Sequence, residues 1–398
     1  MKSQRFNTLA VHAGEAPDPV TGASAPNLVM STTFTAAAGS TFSVEGLTED
    51  APYFYTRWKN PTVEVLEKKL AALEAAESCV AFASGMAAIT SLFFHLLSPG
   101  DQLIISDVTY AAAAEITRDL FTRLGIRVTR VNLSEPEALR EALTSRTRLI
   151  FAETPCNPIL RLTDIAAVAE IAREAGVALV VDSTFATPVA TRPLELGADF
   201  VVHSLTKYLG GHGDAVGGAL LGPSAHLAPL RQKIAIRTGG VLSPFNAWLI
   251  NRGVSTLPLR MAAHQAGALE VARFLESHPR VIRVVYPGLA SHPQFELARR
   301  QMKNFSGMLT FQVENGPRAA EVLSRKLEVI HYAVSLGHHR SLIFYLPTAE
   351  MLENSFRLDD TQLRSYREYA GDGIFRLSVG IEDPADLCED LDRALSAL

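Results

Sequence analysis

Residues 177–207, VALVVDSTFATPVATRPLELGADFVVHSLTK, contain two short apolar segments that each lead into polar residues. The first segment, ALVVD, ends at Asp182. The second, DFVVHS, ends shortly before Lys207, which stands about one helix-plus-strand unit after Asp182. Apolar, β-branched runs bounded by turn residues are typical of buried parallel strands. The carboxyl ends of such strands meet at one edge of an open α/β sheet, where ligands bind. The stretch therefore predicts a parallel sheet with Asp182 and Lys207 near one another at its functional edge.

The same alternation of strands and helices extends on both sides of this stretch. Further strand segments are CVAFAS, QLIISD, RVTRVNL and RLIFAE. Helical segments are PTVEVLEKKLAALEAAE, GMAAITSLFFHLL and TDIAAVAEIAREAG. The pattern then changes to a long amphipathic helix, AAHQAGALEVARFLESH, and half-buried strands, GMLTFQVE and GIFRLSVGIE. This order predicts an α/β fold with a mostly parallel sheet covered on both faces, followed by a smaller α+β C-terminal domain.

We expect three regions along the chain. Residues 1–60 are rich in Pro, Gly, Ser and Thr and show little periodicity, so they are predicted to form an extended arm with turns that packs on something else. The large domain is expected at 61–258 and the C-terminal domain at 259–398.

Composition and charge narrow the class of protein. The 398 residues are 47% hydrophobic and 20% charged, which is an ordinary globular composition with an ample core. The net charge of -5 offers no excess of Lys and Arg for a polyphosphate backbone, so nucleic acid is not an expected partner. We find no signal-like apolar segment and no apolar run of about eighteen residues, which favours a cytoplasmic protein without membrane insertion. Cys79, Cys156 and Cys388 are isolated, which favours reduced thiols and no metal site.

Polar residues follow most of the predicted strands, and we expect them to form one ring at the sheet edge. They are Ser84 to Met86, Asp107 to Tyr110, Glu153 to Asn157, Asp182, and His203 to Lys207. A buried lysine readily becomes a nucleophile toward an aldehyde, and a carboxylate can hold a protonated pyridine nitrogen. Pyridoxal phosphate requires both groups. The hydroxyls of Ser204 and Thr206, and the free N–H groups of the helix that starts near Gly85, would suit its phosphate.

Two other interpretations of these residues exist. Asp182 alone would more often be a helix cap or a solvated turn residue. The run GGHGDAVGG resembles a dinucleotide fingerprint, but Gly211 and Gly213 are followed by Gly217 one residue too late, and ALLG continues as a strand. No P-loop, H-E-x-x-H or G-x-S-x-G motif occurs, so nucleotide hydrolysis, zinc proteolysis and serine hydrolysis have no motif support.

Six motifs carry a resemblance to a known family: YFYTRWKNPT, FASGMAAI, ETPCNP, DSTFATP, HSLTKYLGGHGD and FRLSVGIED. In order and along the whole chain, they resemble the motifs of the Cys/Met-metabolism family of pyridoxal-phosphate enzymes. This family includes cystathionine γ-synthases, cystathionine β- and γ-lyases, methionine γ-lyases and homoserine-ester sulfhydrylases. The resemblance implies the aminotransferase-like (type I) fold of pyridoxal-phosphate-dependent transferases and pyridoxal 5'-phosphate as cofactor. It also implies a homotetramer, built from two dimers, whose active sites are shared between subunits.

The resemblance implies roles for individual cofactor-binding residues. Lys207 would bind the cofactor as a Schiff base and shuttle protons between substrate carbons, while Asp182 would pair with the pyridinium nitrogen. The other cofactor-binding residues would be Tyr110 stacked on the ring, Asn157 near its hydroxyl, Gly85, Met86, Ser204 and Thr206 at the phosphate, and Tyr55 and Arg57 of the arm at the phosphate of the neighbouring subunit.

The resemblance also implies substrate-binding and catalytic roles. Arg376 would bind the α-carboxylate of an amino-acid substrate, a task suited to its planar fork of donors, and Ser335 would help to orient that carboxylate. Without the resemblance, Arg376 would be taken for a strand arginine that faces solvent. Tyr55 or Tyr110 would act as general acid to a departing sulfur.

Positions around Ser335 bear on the identity of the substrate. Several relatives that make or handle cystathionine carry a glutamate directly before this serine, whereas this chain has Val334, which suits a substrate without a distal amino group, such as methionine. Methionine γ-lyases typically have a cysteine where this chain has Ala112, and a lysine-aspartate-methionine stretch where it has AIRTGG. The usual small or acidic residues after SLG are replaced here by His338, His339 and Arg340, and Arg340 would suit an acidic group such as a succinyl ester.

We therefore expect γ-elimination of L-methionine or a related γ-substituted amino acid, which gives a thiol, ammonia and 2-oxobutanoate. The sequence leaves three alternatives open. They are γ-replacement on an O-acylhomoserine, cleavage of cystathionine, and a non-catalytic protein that kept only the fold.

Overall fold

A seven-stranded sheet is the centre of the computed structural model, which describes residues 4–40, 43–45 and 51–398. Its strands are β1 (Ser78–Phe82), β2 (Gln102–Ser106), β3 (Arg127–Val131), β4 (Thr147–Glu153), β5 (Ala178–Asp182), β6 (Phe200–Ser204) and β7 (Gly218–Gly222). Their order across the sheet is β1-β7-β6-β5-β4-β2-β3. Strands β2 to β6 are parallel, and β7 is antiparallel to both of its neighbours. The predicted mostly parallel sheet is confirmed, and a strand, not a helix, follows the glycine-rich run.

Helices cover both faces of this sheet. Those up to residue 255 are α1 (Phe6–His12), α2 (Pro61–Glu74), α3 (Gly85–Leu96), α4 (Ala111–Ile116), α5 (Pro136–Ala142), α6 (Ile165–Ala175), α7 (Thr187–Ala190), α8 (Ser224–Leu230), α9 (Ile236–Thr238) and α10 (Pro244–Ser255). Strand β4 shows the layering, because its side chains alternate between the two faces. Leu149 and Phe151 pack in one apolar cluster with α3, whereas Ile150 and Ala152 pack in another with α6. Burial on both faces explains why these strands are continuously apolar.

A second, five-stranded sheet forms the C-terminal part of the protein. Its strands are β8 (Val281–Val285), β9 (Met308–Val313), β10 (His331–Tyr332), β11 (Leu342–Pro347) and β12 (Gly373–Ser378), in the order β10-β11-β12-β9-β8. Its helices are α11 (Leu257–Ser277), α12 (Phe295–Gln301), α13 (Gly316–Lys326), α14 (Thr348–Asn354), α15 (Asp360–Ala370) and α16 (Pro384–Ser396). Apolar residues of α11, α13 and α16 pack with the strands in one cluster, as expected for an α+β domain. The domain division at 258/259 stays a prediction; it falls at the beginning of α11. In the part of the chain that the structure describes, no helix is both long and apolar enough to cross a membrane.

The N-terminal arm contains a helix that the sequence analysis did not predict. Helix α1 packs against α2 and α10, with Ala10 fully buried and Phe6 and Leu9 at the edge of the same apolar cluster. Its seven residues form barely two turns, so the helix depends on this packing and not on its own propensity. Residues 1–3, 41–42 and 46–50 of the predicted arm lie outside the described residues.

Lys69 joins the arm to the large domain. Its side chain is completely buried, and its ammonium binds the carbonyl of Val11 at 3.2 Å, the hydroxyl of Ser255 at 3.2 Å and the carboxylate of Glu15.

We expect Glu15→Ala to lower the free energy of unfolding by roughly 3–5 kcal/mol, because it leaves the buried charge of Lys69 without its partner. Equilibrium urea unfolding measures this loss. The exposed pair Glu137 and Arg140 supplies the control, since Glu137→Ala should cost no more than about 1 kcal/mol. A loss for Glu15→Ala as small as that of the control would contradict the prediction.

Candidate active site

A cavity of about 290 Å³ opens at the carboxyl ends of the parallel strands. The predicted site residues that line it are Gly85, Met86, Tyr110, Asn157, Asp182, Ser204, Thr206, Lys207 and Arg376. Most of them follow β1, β4, β5 or β6, whereas Arg376 comes from β12 of the second sheet. The cavity therefore lies where the two sheets approach each other.

Several residues of the expected polar ring do not line the cavity, among them Asp107, Thr109, Thr154 and His203. Asp107 is fully buried and pairs with Arg161. His203 belongs to β6, and because side chains alternate along a strand, it points away from the cavity that Ser204 lines. His203 is buried instead against Glu74, with its Nε2 2.6 Å from the carboxylate. The expectation of one continuous ring was therefore wrong at these positions.

Lys207 is held in a tight turn after β6. Its backbone N–H donates to the carbonyl of Ser204 at 3.2 Å, and its own carbonyl accepts from the N–H of Gly211 at 2.7 Å. The side-chain Nζ donates to Oγ of Ser335 at 2.8 Å. Burial and the positive charge of Arg376 lower the pKa of Lys207 to about 8. The amine therefore loses its proton far more easily than an exposed lysine does.

Asp182 ends β5 with one carboxylate oxygen fixed. Oδ1 accepts hydrogen bonds from the backbone N–H of Thr184 at 3.0 Å and from its hydroxyl at 2.6 Å. Within the described residues, Oδ2 has no hydrogen-bond partner, and the side chain lines the cavity. Burial raises the pKa of Asp182, although the two bonds from Thr184 act in the opposite sense. A cationic N–H donor in the cavity would stabilise this carboxylate in its charged form.

Glu153 fixes the two turns that carry Tyr110 and Asn157. Its carboxylate accepts from the hydroxyl of Thr109 at 2.6 Å, from the N–H of Tyr110 at 2.6 Å and from the N–H of Asn157 at 2.8 Å. Burial and the charge of Asp182 raise the pKa of Glu153 to about 8. Glu153 was expected at this edge from its position after a predicted strand, but without a role. The structure indicates that it positions its neighbours.

Arg376 lies on β12, opposite Phe344 and Thr310 of the adjacent strands. One terminal nitrogen donates to Oδ1 of Asn157 at 2.8 Å, and the other donates to the carbonyl of Ser335 at 3.2 Å. Burial lowers the pKa of Arg376 to about 10, so the guanidinium stays charged at neutral pH. A fixed, charged fork at a cavity wall is suited to a carboxylate ligand.

The beginning of α3 and the end of β6 offer donors for an anion. The hydroxyl of Ser84 caps α3 by accepting from the N–H of Ala87 at 3.1 Å, whereas the N–H groups of Gly85 and Met86 have no acceptor in the described chain. Gly85 lies tightly against Ser204, because a Cβ added there would be 3.1 Å from that of Ser204. Thr206 is already engaged: its hydroxyl donates to the carbonyl of Gly217 at 3.2 Å. Backbone N–H groups at a helix start with a hydroxyl beside them fit a phosphate.

Several residues singled out from the sequence do not line this cavity. Ser335 is one of them, although it binds Lys207 and Arg376, which do line it. The ring of Tyr55 is 39% exposed and lies 5.5 Å from the guanidinium of Arg57, which donates to the carbonyl of Ile236 at 2.5 Å. Neither residue lines the cavity of its own chain, so their role at a neighbouring subunit stays a prediction. Val334 is 64% exposed, and Arg340 is exposed as well and does not reach the cavity wall.

Seven further residues line the cavity. Ser84 and Glu153 were expected at this edge without a role, whereas the sequence analysis did not indicate Ile89, Thr184, Phe185, Val216 and Leu336. Thr184 could have been found from its spacing, because a threonine two residues after an aspartate often closes a turn on that carboxylate. The apolar residues give no such signal, since their pattern is that of any buried side chain.

Comparisons with known proteins identify the family of this chain. The family model "Cys/Met metabolism PLP-dependent enzyme" matches residues 7–396. The chain is 41% identical to an L-methionine γ-lyase of Pseudomonas putida, over 98% of this chain and 97% of the relative. It is 42% identical to a cystathionine γ-synthase of Mycobacterium tuberculosis, over 98% of this chain and 96% of the relative. The crystal structure of cystathionine γ-lyase from Lactobacillus plantarum, complexed with L-serine, matches with a TM-score of 0.87 at 34% identity, covering 99% of both chains.

The fold is that of a pyridoxal-phosphate-dependent enzyme, the aminotransferase-like (type I) fold, as the sequence predicted. The chain belongs to the Cys/Met-metabolism family of these enzymes, and its cofactor is pyridoxal phosphate. The matched relatives include both a lyase and a synthase, so family membership leaves the particular reaction open.

Proposed function

We propose that this protein cleaves the bond between the γ-carbon and sulfur of L-methionine or a related γ-substituted amino acid. With water, methionine would give methanethiol, ammonia and 2-oxobutanoate. The observation that carries this proposal is the apolar part of the cavity wall, formed by Ile89, Phe185, Val216 and Leu336. The carboxylates of the wall, Glu153 and Asp182, are buried at the strand ends. The apolar part of the wall suits a thioether. It offers no acceptor to the distal ammonium group of cystathionine.

Substrate binding would rest on Arg376. Its fork is already oriented by Asn157 and by the carbonyl of Ser335, so little side-chain entropy is lost when a carboxylate binds. The α-carboxylate would thereby be placed beside Lys207, because Ser335 binds Arg376 through its carbonyl and Lys207 through its hydroxyl. The apolar side chain of the substrate would then extend along the apolar wall.

Proton transfer would rest on Lys207. Pyridoxal phosphate, when bound, supplies an electron sink for negative charge at the α-carbon of the substrate. Asp182 would hold the cofactor ring through its unpaired Oδ2, and the start of α3 with Ser204 would hold the phosphate. The Nζ of Lys207, with a pKa of about 8, would accept the α-proton, give it up again, and only then accept a β-proton. The phenol of Tyr110, which lines the cavity, would donate a proton to the departing sulfur; Tyr55 of a neighbouring subunit is the second candidate.

Shared active sites form a further part of the proposal. Tyr55 and Arg57 lie outside the cavity of their own chain, and the arm also exposes the apolar side chains of Val20 and Met30. These observations support a homotetramer in which the arm reaches the neighbouring subunit and hides this apolar surface.

Mixing two inactive variants tests this arrangement. A mixed dimer of Lys207→Ala and Arg57→Ala chains contains one site with both residues intact if the two come from different subunits. After unfolding and refolding together, we expect about a quarter of the wild-type activity, because half of the dimers are mixed and half of their sites are intact. Each variant refolded alone is the control. Activity that does not rise above the controls would contradict sharing of these residues.

Turnover of single substrates tests the reaction itself. We expect the cofactor-loaded protein to form 2-oxobutanoate and a thiol from L-methionine alone, and to process cystathionine more slowly. Formation of cystathionine from an O-acylhomoserine and cysteine, with no 2-oxobutanoate from methionine, would instead establish γ-replacement. No turnover of any of these substrates, together with no borohydride-sensitive yellow colour, would favour the non-catalytic alternative.

A further inference from the structure

His338 lies one hydrogen bond beyond the amine of the active site. Oγ of Ser335 accepts from Nζ of Lys207 at 2.8 Å, and the same Oγ lies 3.3 Å from Nε2 of His338. The glycine-rich run makes room for this ring: a Cβ added at Gly213 would lie 2.7 Å from its Nδ1. Lys207, Ser335 and His338 therefore form a continuous polar chain from the cavity into the loop between β10 and β11.

The backbone around Ser335 is fixed, so the direction of its hydroxyl proton is the main feature that can still vary. Ser335 has a φ of 85°, a left-handed conformation that is uncommon for serine. Its carbonyl accepts from Arg376 at 3.2 Å, and the N–H of Gly337 donates to Oγ of Ser378 at 2.9 Å, so the segment is held on both sides of Leu336. A strained residue held this firmly presents its side chain in a defined place. What remains to be set is which partner receives the hydroxyl proton.

We propose that His338 is a positioning residue that accepts the hydroxyl proton of Ser335 and so keeps the serine oxygen as an acceptor for Lys207. With its proton engaged by the imidazole, the hydroxyl cannot donate to the neutral amine. The chain then stabilises the protonated form of Lys207 and fixes its direction. This inference rests on the proposed role of Lys207 as the proton carrier.

The charges around His338 agree with an acceptor role. The groups that face it are Lys207 from the turn after β6, Asp214 from the glycine-rich run and His339 from its own loop; Arg376 of β12 faces Lys207 in turn. Burial, and then the charges of Lys207 and His339, lower the pKa of His338, while Asp214 acts in the opposite sense. The lowered pKa favours the neutral imidazole. With its proton on Nδ1, its Nε2 can accept from Ser335.

Selective labelling of Lys207 tests this inference without catalysis. The full-length protein, freed of cofactor, is treated with acetic anhydride over a range of pH, and the peptide that contains Lys207 is quantified by mass spectrometry. We expect His338→Leu to lower the pKa of Lys207 by about half to one pH unit, the scale of one lost hydrogen bond. At pH 7, Lys207 would then be labelled about two- to fivefold faster. The matched control is His339→Leu, which removes the neighbouring imidazole and should leave the labelling profile close to that of the wild type.

A double variant tests whether His338 acts through Ser335. Ser335→Ala should also change the pKa of Lys207, and His338→Leu should then have no further effect in that background. His338→Gln, which keeps an acceptor, should restore part of the wild-type value. The inference would be overturned if His338→Leu left the pKa of Lys207 unchanged. It would also be overturned if His338→Leu changed that pKa equally in the wild-type and the Ser335→Ala backgrounds. Because labelling needs no turnover, these results stand apart from the methionine assay and from its failure.

Discussion

Lys207→Ala is expected to reduce kcat by at least about 10³-fold, the scale of losing a positioned acid–base group that is also the site of covalent attachment. No other described lysine lines the cavity, so no neighbouring amine can take over. The pKa of about 8 is essential here, because it lets Nζ accept a proton near neutral pH and return it in the next step. Steady-state turnover with L-methionine measures the loss.

The physical state of the Lys207→Ala protein separates catalysis from folding. Borohydride treatment followed by mass spectrometry should show the cofactor fixed to Lys207 in the wild type and no fixed cofactor in the variant. Urea unfolding should differ little, since removal of this side chain breaks a single hydrogen bond, to Ser335. Lys326→Ala, at an exposed position on α13, is the control and should behave as the wild type. Unimpaired turnover in a folded Lys207→Ala protein would refute the proposed mechanism.

The positions of Asp182 and Lys207 could be predicted because they depend on one local rule. Each follows an apolar segment long enough for a single buried strand, and parallel strands end at the same edge. The same rule failed for His203. The rule predicts that a residue lies at this edge of the sheet, but it does not predict toward which face of the sheet the side chain points. Asp107 also follows a strand, but Arg161 pairs with it away from the cavity.

Other parts of the site depend on contacts between distant segments. The sequence pattern of β12 fits a solvent-facing Arg376 as well as a buried one, so only the family resemblance suggested its role. Its place at the cavity wall follows from the approach of the second sheet and from Asn157. The contact of His338 with Ser335 requires the left-handed backbone of Ser335, which no local pattern predicts. Helix α1 was missed for a related reason, because a helix this short is stabilised by the surface on which it packs.

Arg376→Ala is expected to lower kcat/KM by about 10²- to 10⁴-fold, because it removes two charge-assisted hydrogen bonds to the substrate carboxylate. Most of the loss should appear in KM if the carboxylate is bound equally in the ground state and the transition state. The steady-state kinetics of L-methionine cleavage measure both constants. Arg376→Lys keeps the charge but loses the fork that Asn157 and Ser335 orient, so we expect an intermediate loss.

The pH dependence of these two variants separates charge from geometry. The positive charge of Arg376 is one cause of the lowered pKa of Lys207. Arg376→Ala should therefore raise the pKa of Lys207 above about 8, and the acid limb of the kcat profile should move to higher pH, because the amine must lose its proton before it can act as a base. Arg376→Lys keeps the charge and should leave that limb nearly in place. If both variants lose kcat/KM but neither shifts the acid limb of the kcat profile, Arg376 binds the carboxylate without lowering the pKa of Lys207. If neither variant loses kcat/KM, the carboxylate binds elsewhere and the proposed substrate orientation is wrong.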